Sequence, residues 1–197
     1  IPWEDMIVIN EAHSKGDDEI ELYNFAAVDF LLSGWQVLDS DYDPVDNPDN
    51  IYTFDGEEIA ANDYLVLRKG THHDFGLGGE DGVLLRNADG ETVDQVNWPD
   101  KAAEHSYCRI PNLTGPFKMC AQSTLGDANS DWQVLINEVS AKGDDEIELF
   151  NIGASTAPVG GWYVIDASYD PVVPTEKRFD FPAGWTVPPL GYLVLVK

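Results

Sequence analysis

The sequence predicts an all-β protein, a two-layered sandwich copied in tandem. Three observations carry this. Short runs of β-branched and aromatic residues are separated by turn formers, no window holds a 3.6-residue apolar period, and a long internal repeat is present. The 12 prolines would interrupt any helix of ordinary length. Many short strands punctuated by Gly and Pro form the pattern of a β-sandwich.

The repeat sets the layout. Residues 9–24 read INEAHSKGDDEIELYN and residues 136–151 read INEVSAKGDDEIELFN, identical at twelve of sixteen positions with an offset of 127. The match continues from Gly34-Trp35 to Gly161-Trp162, and from Tyr42-Asp43-Pro44-Val45 to Tyr169-Asp170-Pro171-Val172. After one inserted residue, Tyr64-Leu65-Val66-Leu67 returns as Tyr192-Leu193-Val194-Leu195. Solenoid repeats run about 20–50 residues, so this period duplicates a whole domain. The expected domains are residues 1–130 and, as the front half of a second copy, residues 131–197. The second copy reaches Lys197, level with Lys69, without counterparts of residues 70–129. A half-domain with open strand edges is marginal. It is expected to pair those edges with the first copy or with another chain, by strand addition or domain swap.

Within the first copy, strands are expected at Met6–His13, Glu19–Asn24, Trp35–Asp39, Tyr64–Lys69, Gly82–Asn87 and Glu91–Trp98. Lys15-Gly16-Asp17-Asp18 turns the first strand into the second. Asn87-Ala88-Asp89-Gly90 closes a hairpin in which Gly90 supplies the positive φ that such turns need. Trp35 and Trp162, each after a glycine, are expected to fill the core. Trp98 and Trp185 are read as exposed and able to touch a ligand.

Composition limits the function. The 36 Asp and Glu against 11 Lys and Arg give a net charge of −25. Nucleic-acid binding is driven by Lys and Arg replacing counterions along phosphates, so a simple nucleic-acid binder is excluded. Docking on an anionic membrane is disfavoured for the same reason. The apolar content of 43% supports a packed core rather than a disordered acidic tail. No apolar run approaches the roughly 20 residues that cross a bilayer. No basic, apolar leader is visible, so any signal peptide is expected upstream or already removed. Residues 1–130 hold 26 acids and 7 bases, and the remainder 10 and 4. Such self-repulsion suits a saline or calcium-containing exterior, where charge is screened within about 8 Å.

At this point the ordered motifs resemble a family. They are Ile9-Asn10-Glu11, the acidic strand Ile20–Asn24, Gly34-Trp35, Tyr64–Leu67 and Gly82-Val83-Leu84-Leu85. Ser106-Tyr107-Cys108-Arg109 and the closing Ser123-Thr124-Leu125-Gly126-Asp127-Ala128-Asn129 follow. Each copy resembles the lamin tail domain, an immunoglobulin-like β-sandwich. The family usually closes with Thr-Pro-Gly before an Asn; here Leu125 replaces the proline, a departure confined to that turn. Outside nuclear lamins, similar domains are common in secreted bacterial proteins beside nucleases, phosphoesterases and other hydrolases. The resemblance brings no catalytic residues. It implies an extracellular or cell-surface, bacterial setting.

Several residues qualify for chemistry. Cys108 and Cys120 flank Pro111–Pro116, which reads as a hairpin connection, and two strands leaving one turn come within disulfide reach. An exterior setting favours that bond. Between Asp39 and Asp63 lie nine acids and no base, whereas the matching Asp166–Leu190 has four acids and two bases. The sandwich therefore does not require this excess. Asp39, Asp41, Asp43 and Asp46 are candidate calcium ligands, since calcium accepts irregular sets of oxygens; a solvated acidic surface accounts for the same pattern. His72-His73-Asp74 reads as a loop, and the Gly76–Gly82 run leads into a strand and carries acids that would repel phosphate. Glu11 and Glu21 recur as Glu138 and Glu148. A glycosidase pair would need two such carboxylates, but a paired or solvated strand face explains them more simply. Asn10 and Asn24 are expected to bond backbone at strand ends.

The functional expectation is a non-enzyme: an extracellular interaction or spacer module that contacts protein, glycan or cell-surface partners, or neighbouring domains of the same polypeptide. Two alternatives remain. One is the accessory part of an extracellular hydrolase, a nuclease or phosphoesterase whose catalytic domain lies outside this chain. The other is an adhesion module stiffened by calcium, the one cofactor considered.

Overall fold

A computed structural model of the chain describes residues 6–120, 122–141, 145–170 and 177–196. The second copy's Lys142-Gly143-Asp144 turn and its Pro171-Val172 pair lie outside the described residues. The chain divides into two compact units, Ile1–Ser130 and Asp131–Lys197. Both are all-β, and no helix among the described residues is long and apolar enough to cross a membrane.

The strands of the first unit are β1 (Ile7–His13), β2 (Glu19–Asn24), β3 (Phe30–Leu31), β4 (Gln36–Asp39), β5 (Ile51–Thr53), β6 (Glu58–Ile59), β7 (Tyr64–Leu67), β8 (Asp81–Arg86), β9 (Thr92–Trp98), β10 (Tyr107–Arg109) and β11 (Phe117–Met119). Five form an antiparallel sheet in the order β11-β10-β1-β2-β7, and four form a second in the order β5-β4-β8-β9. A short β3-β6 ribbon accompanies them. One core lies between the sheets. Ile7, Ile9, Ala12, Ile20, Leu22 and Leu67 come from the first sheet; Val37, Val83, Leu85, Val96 and Trp98 come from the second. Alternation along each strand puts these apolar side chains on one face. The architecture is an immunoglobulin-like sandwich.

One irregularity in β1 decides where the polar residues go. Ile9 pairs with Leu22 and Glu11 pairs with Glu21, so Asn10 is an extra residue, a β-bulge. Side chains alternate with period two, and an inserted residue reverses that parity. Before the bulge Ile7 and Ile9 face the core; after it Ala12 does, and Glu11 turns to the opposite face beside Glu21. Without Asn10 as a bulge, Glu11 would project into the apolar core.

The second unit repeats the first seven strands as β12 (Val134–Ser140), β13 (Glu146–Asn151), β14 (Ala157–Pro158), β15 (Tyr163–Ile165), β16 (Arg178–Asp180), β17 (Thr186–Val187) and β18 (Tyr192–Leu195). The bulge recurs at Asn137, between Ile136 and Glu138. The sheets are β12-β13-β18, β14-β17 and β15-β16. Counterparts of β8 to β11 do not occur among the described residues.

Two expectations about tryptophan are corrected. Trp35 is buried against Phe30, but Trp162 is 40% exposed and tilts on Trp132 at 5.7 Å. In the first unit the β8–β9 turn comes close to this corner: a Cβ on Gly34 would lie 3.3 Å from the Ala88 Cβ. Among the described residues of the second unit no such turn lies over Trp162. Trp98 is buried, not exposed, with its indole N–H donating to the Gly78 carbonyl at 3.0 Å. Trp185 is exposed, as read from the sequence.

Candidate functional site

The most polar interior of the first unit lies behind the five-stranded sheet, on the face that the bulge creates. Glu11 and Glu21 stand opposite each other there and are fully buried. The closing segment of the unit covers them. Thr124 donates to Glu11 from its amide at 2.9 Å and from its hydroxyl at 2.6 Å. The Gly126 amide donates to Glu21 at 2.5 Å, and Asn10 Nδ2 donates to the other oxygen of Glu21 at 2.8 Å. Asn129 Nδ2 donates to the carbonyls of Asn10 and Arg109. Asn112 Oδ1 accepts from the Asn129 amide and from Asn10 Nδ2. The solvated alternative for these glutamates is therefore overturned in the first unit. Their carboxylates are consumed as acceptors for a strap of backbone amides, which leaves neither poised to act on a substrate. The sequence had offered Thr124, Gly126 and Asn129 only as a family ending, without a partner for them.

Burial holds the Glu21 carboxyl up at about 7, with Glu11 and Asp127 adding to the rise against the Gly126 and Asn10 hydrogen bonds. Asp39 rises to about 6, first through burial and then through the charges of Asp81 and Asp41. Between pH 4 and 7 the folded chain thus binds more protons at these groups than the unfolded chain does. Stability then falls as pH rises. Their contribution is complete below the ordinary carboxyl range and is lost as pH passes 6 and then 7. Buried His73, with its lowered pKa, pulls the other way, but the two carboxyl shifts are larger, so the melting temperature should be higher at pH 5 than at pH 8. A scan of Tm against pH in constant salt checks this, and a midpoint that climbs from pH 5 to 8 would contradict it.

The acidic run behaves differently. It is a series of turns after Asp39 rather than a continued strand. Asp39 is buried, and its Oδ1 accepts from the Asp41 amide at 2.7 Å. Asp43 Oδ1 accepts from the amides of Val45 and Asp46 at 2.7 and 3.0 Å, which hold its carboxyl below the usual range. Asp41 and Asp46 are exposed. Among the described residues no three His, Cys, Asp or Glu side chains gather closely enough to hold a metal ion.

Cys108 and Cys120 are joined as a disulfide with their Cα atoms 6.0 Å apart. β10 and β11 leave the Pro111–Pro116 connection as an antiparallel pair, which brings the two together. A closed loop of this length restricts the unfolded chain by about 2–3 kcal/mol. Reduction should lower the stability of the first unit by that amount in urea titrations with and without reductant. The same treatment should leave a Cys108→Ala/Cys120→Ala variant unchanged.

Arg109 follows Cys108 and closes the Ser106–Arg109 motif. In the structure it ties the two sheets together. Its Nη2 donates to both oxygens of Asp94 on β9, at 3.0 and 2.9 Å, and its Nε donates to the Ile9 carbonyl on β1. The guanidinium also lies 4.3 Å from the Phe117 ring centre. His72 and His73 sit in a loop; His73 is buried, stacks on Phe75 at 4.2 Å, and burial lowers its pKa.

Asn24 bonds backbone, as expected. Its Nδ2 donates to the carbonyls of Val28, Ile59 and Ala60, and its Oδ1 accepts from the Ala26 amide. Asn151 makes the same bonds with Ser155, Val187, Pro188 and Gly153.

A bulged first strand, an Asn clamp at the end of the second and two buried carboxylates under a closing strap define a self-contained immunoglobulin-like module. Its strongest polar groups serve the fold. The chain contains a lamin tail domain: the family model of the Lamin Tail Domain matches residues 4–100, which span β1 to β9. No curated protein matches the chain.

Proposed function

We propose that the chain is a non-catalytic interaction and spacing module of an exported protein, which displays its sheet surfaces to a protein, glycan or cell-surface partner. The observation that carries this reading is the fate of Glu11 and Glu21. In the first unit the facing carboxylate pair is buried beneath residues 124–129 and bonded to their amides. The matching Glu138 of the second unit, by contrast, is exposed opposite Glu148, which accepts from Asn137 Nδ2. The Cys108–Cys120 disulfide supports an oxidising, extracellular setting. A role beside a nuclease or phosphoesterase leaves these residues with the same work, because the chemistry would then belong to another domain. The test sets the 197-residue chain against immobilised glycans, cell-wall material and extracellular protein, and in parallel against nucleic acid and phosphoester substrates. Retention without turnover is the expected result, and hydrolysis by the chain alone would overturn the reading.

Calcium stiffening through Asp39, Asp41, Asp43 and Asp46 is a second reading, which rests on the nine acids and no base between Asp39 and Asp63. A cation that bound the folded state would raise the melting temperature, and a chelator would reverse the rise. An unchanged midpoint in millimolar Ca²⁺ removes it.

A further inference from the structure

The strap over the buried glutamates is held by polar bonds and not by apolar packing. Residues 122–130 take no part in the apolar core. Both ends are anchored: Cys120 is bonded to Cys108, and Asn129 donates to the carbonyls of Asn10 and Arg109. Between these anchors the strap is fastened through two carboxylates. Thr124 bonds Glu11 through its amide and hydroxyl, and the Gly126 amide bonds Glu21. Glu11 and Glu21 are direct cross-strand partners and both are fully buried. Asp127, exposed on the strap itself, adds a third carboxylate whose charge acts on Glu21.

We infer that residues 123–127 form a proton-operated latch, closed over Glu11 and Glu21 while that pair holds a proton and opening locally, between its two anchors, once the pair is fully ionised. Two carboxylates facing each other out of water disfavour double ionisation, and Asp127 puts a like charge on the element that moves. Opening lets water reach all three. The other groups around Glu21 do not offset this. The Tyr64 phenol on β7 is raised in pKa, first by burial, and stays uncharged. Arg109 on β10 turns its carbonyl to the strap, while its guanidinium is bonded to Asp94. The closed strap therefore binds a proton that the open strap releases, since covered Glu21 sits at about 7 against 4.5 for a hydrated glutamate. Opening then becomes more favourable as pH climbs between those two values and levels off above the higher one. The outer face of the five-stranded sheet around Asn10 is thus withheld in acid and uncovered at neutral pH, whatever the module binds.

Native-state amide exchange of the full 197-residue chain between pH 5 and 7.5, with each rate divided by its intrinsic value, measures the opening directly. The Thr124 and Gly126 amides should open about tenfold more, or beyond, at pH 7.5 than at pH 5. At every pH they should open at least about a hundredfold more often than the amides of β2 and β8, which exchange through global unfolding. Glu11→Gln keeps an acceptor for the Thr124 amide and removes one charge, so opening at pH 7.5 should fall severalfold. Glu21→Gln should abolish the pH dependence, whatever it does to absolute protection. Because either change can loosen the whole unit, the wild-type chain supplies a second reading. In a carbon-13 and nitrogen-15 titration, the Glu21 carboxyl and the Thr124 and Gly126 amides should share one midpoint near 7. Strap amides that open no more often than those of β2 and β8 overturn the proposal, as does opening that is unchanged from pH 5 to 7.5. A Glu21 midpoint at 4.5 does the same.

Discussion

Replacing Asn24 with aspartate should lower the stability of the first unit by about 4 kcal/mol, although the two side chains have the same shape. The amide nitrogen of Asn24 faces three carbonyl oxygens, those of Val28, Ile59 and Ala60, at 2.9, 3.0 and 3.1 Å. A carboxylate puts acceptor against acceptor at all three and adds a charge at a fully buried position. Unsatisfied buried groups cost about 1–3 kcal/mol each, and more when charged. Asn24→Ala should cost less, about 2–3 kcal/mol, because it removes the bonds without the repulsion. Urea titrations of the wild type and both variants at pH 7 give the ordering. Acidification should then recover part of the aspartate variant's loss, since a protonated carboxyl regains one donor. The equivalent Asn151→Asp should act on the second unit through Ser155, Val187 and Pro188 in the same way. Aspartate no worse than alanine at neutral pH would mean that these carbonyls are hydrated rather than held by the amide.

Asn24 also shows what a sequence of this kind discloses. Its recurrence as Asn151, at the end of an acidic strand, marked it as a backbone-bonding residue, and the fold class followed from strand-length apolar runs with turn residues between them. β3, β5, β6, β10 and β11 span only two or three residues each, too short to show a period. The bulge at Asn10 was not legible either. Parity alone puts Glu11 on the side of Ile7 and Ile9, and only the pairing of Glu11 with Glu21 reveals the shift. The strap over those glutamates joins residues more than a hundred positions apart, a distance over which local pattern carries no information. Trp162 is a different case. Its neighbours differ from those of Trp35: Ala157 stands in the place of Phe30, and no strand pair of the β8–β9 kind lies beside it among the described residues. Burial is a property of what packs on a residue, which two segments sharing a Gly-Trp pair need not have in common.

The second large effect is expected at Arg109, which lies beyond the stretch matched by the family model yet fastens its two sheets. Arg109→Ala should destabilise the first unit by about 3 kcal/mol. The change strips both hydrogen bonds from Asp94, one from the Ile9 carbonyl and one from the Gly115 carbonyl, together with the contact over Phe117. Arg109 and Asp94 are each less than one-fifth exposed. Breaking a largely buried pair is costly chiefly because the surviving charge is stranded. Arg109→Lys should recover less than half of the loss, since an ammonium cannot present a planar fork to Asp94 and reach the Ile9 carbonyl at once. Asp94→Asn placed on Arg109→Ala should restore part of the stability by removing the stranded charge, while Ile9 keeps an acceptor for the amide that now bonds Asp94 at 2.8 Å. The double-mutant cycle in urea measures this coupling, expected at roughly 1–2 kcal/mol. Strict additivity would show that the sheets are held by their apolar core alone. Coupling of the expected size would place the functional boundary of the module past β9, at the arginine and the strap that follow it, so that a chain cut at residue 100 would lack the means to close.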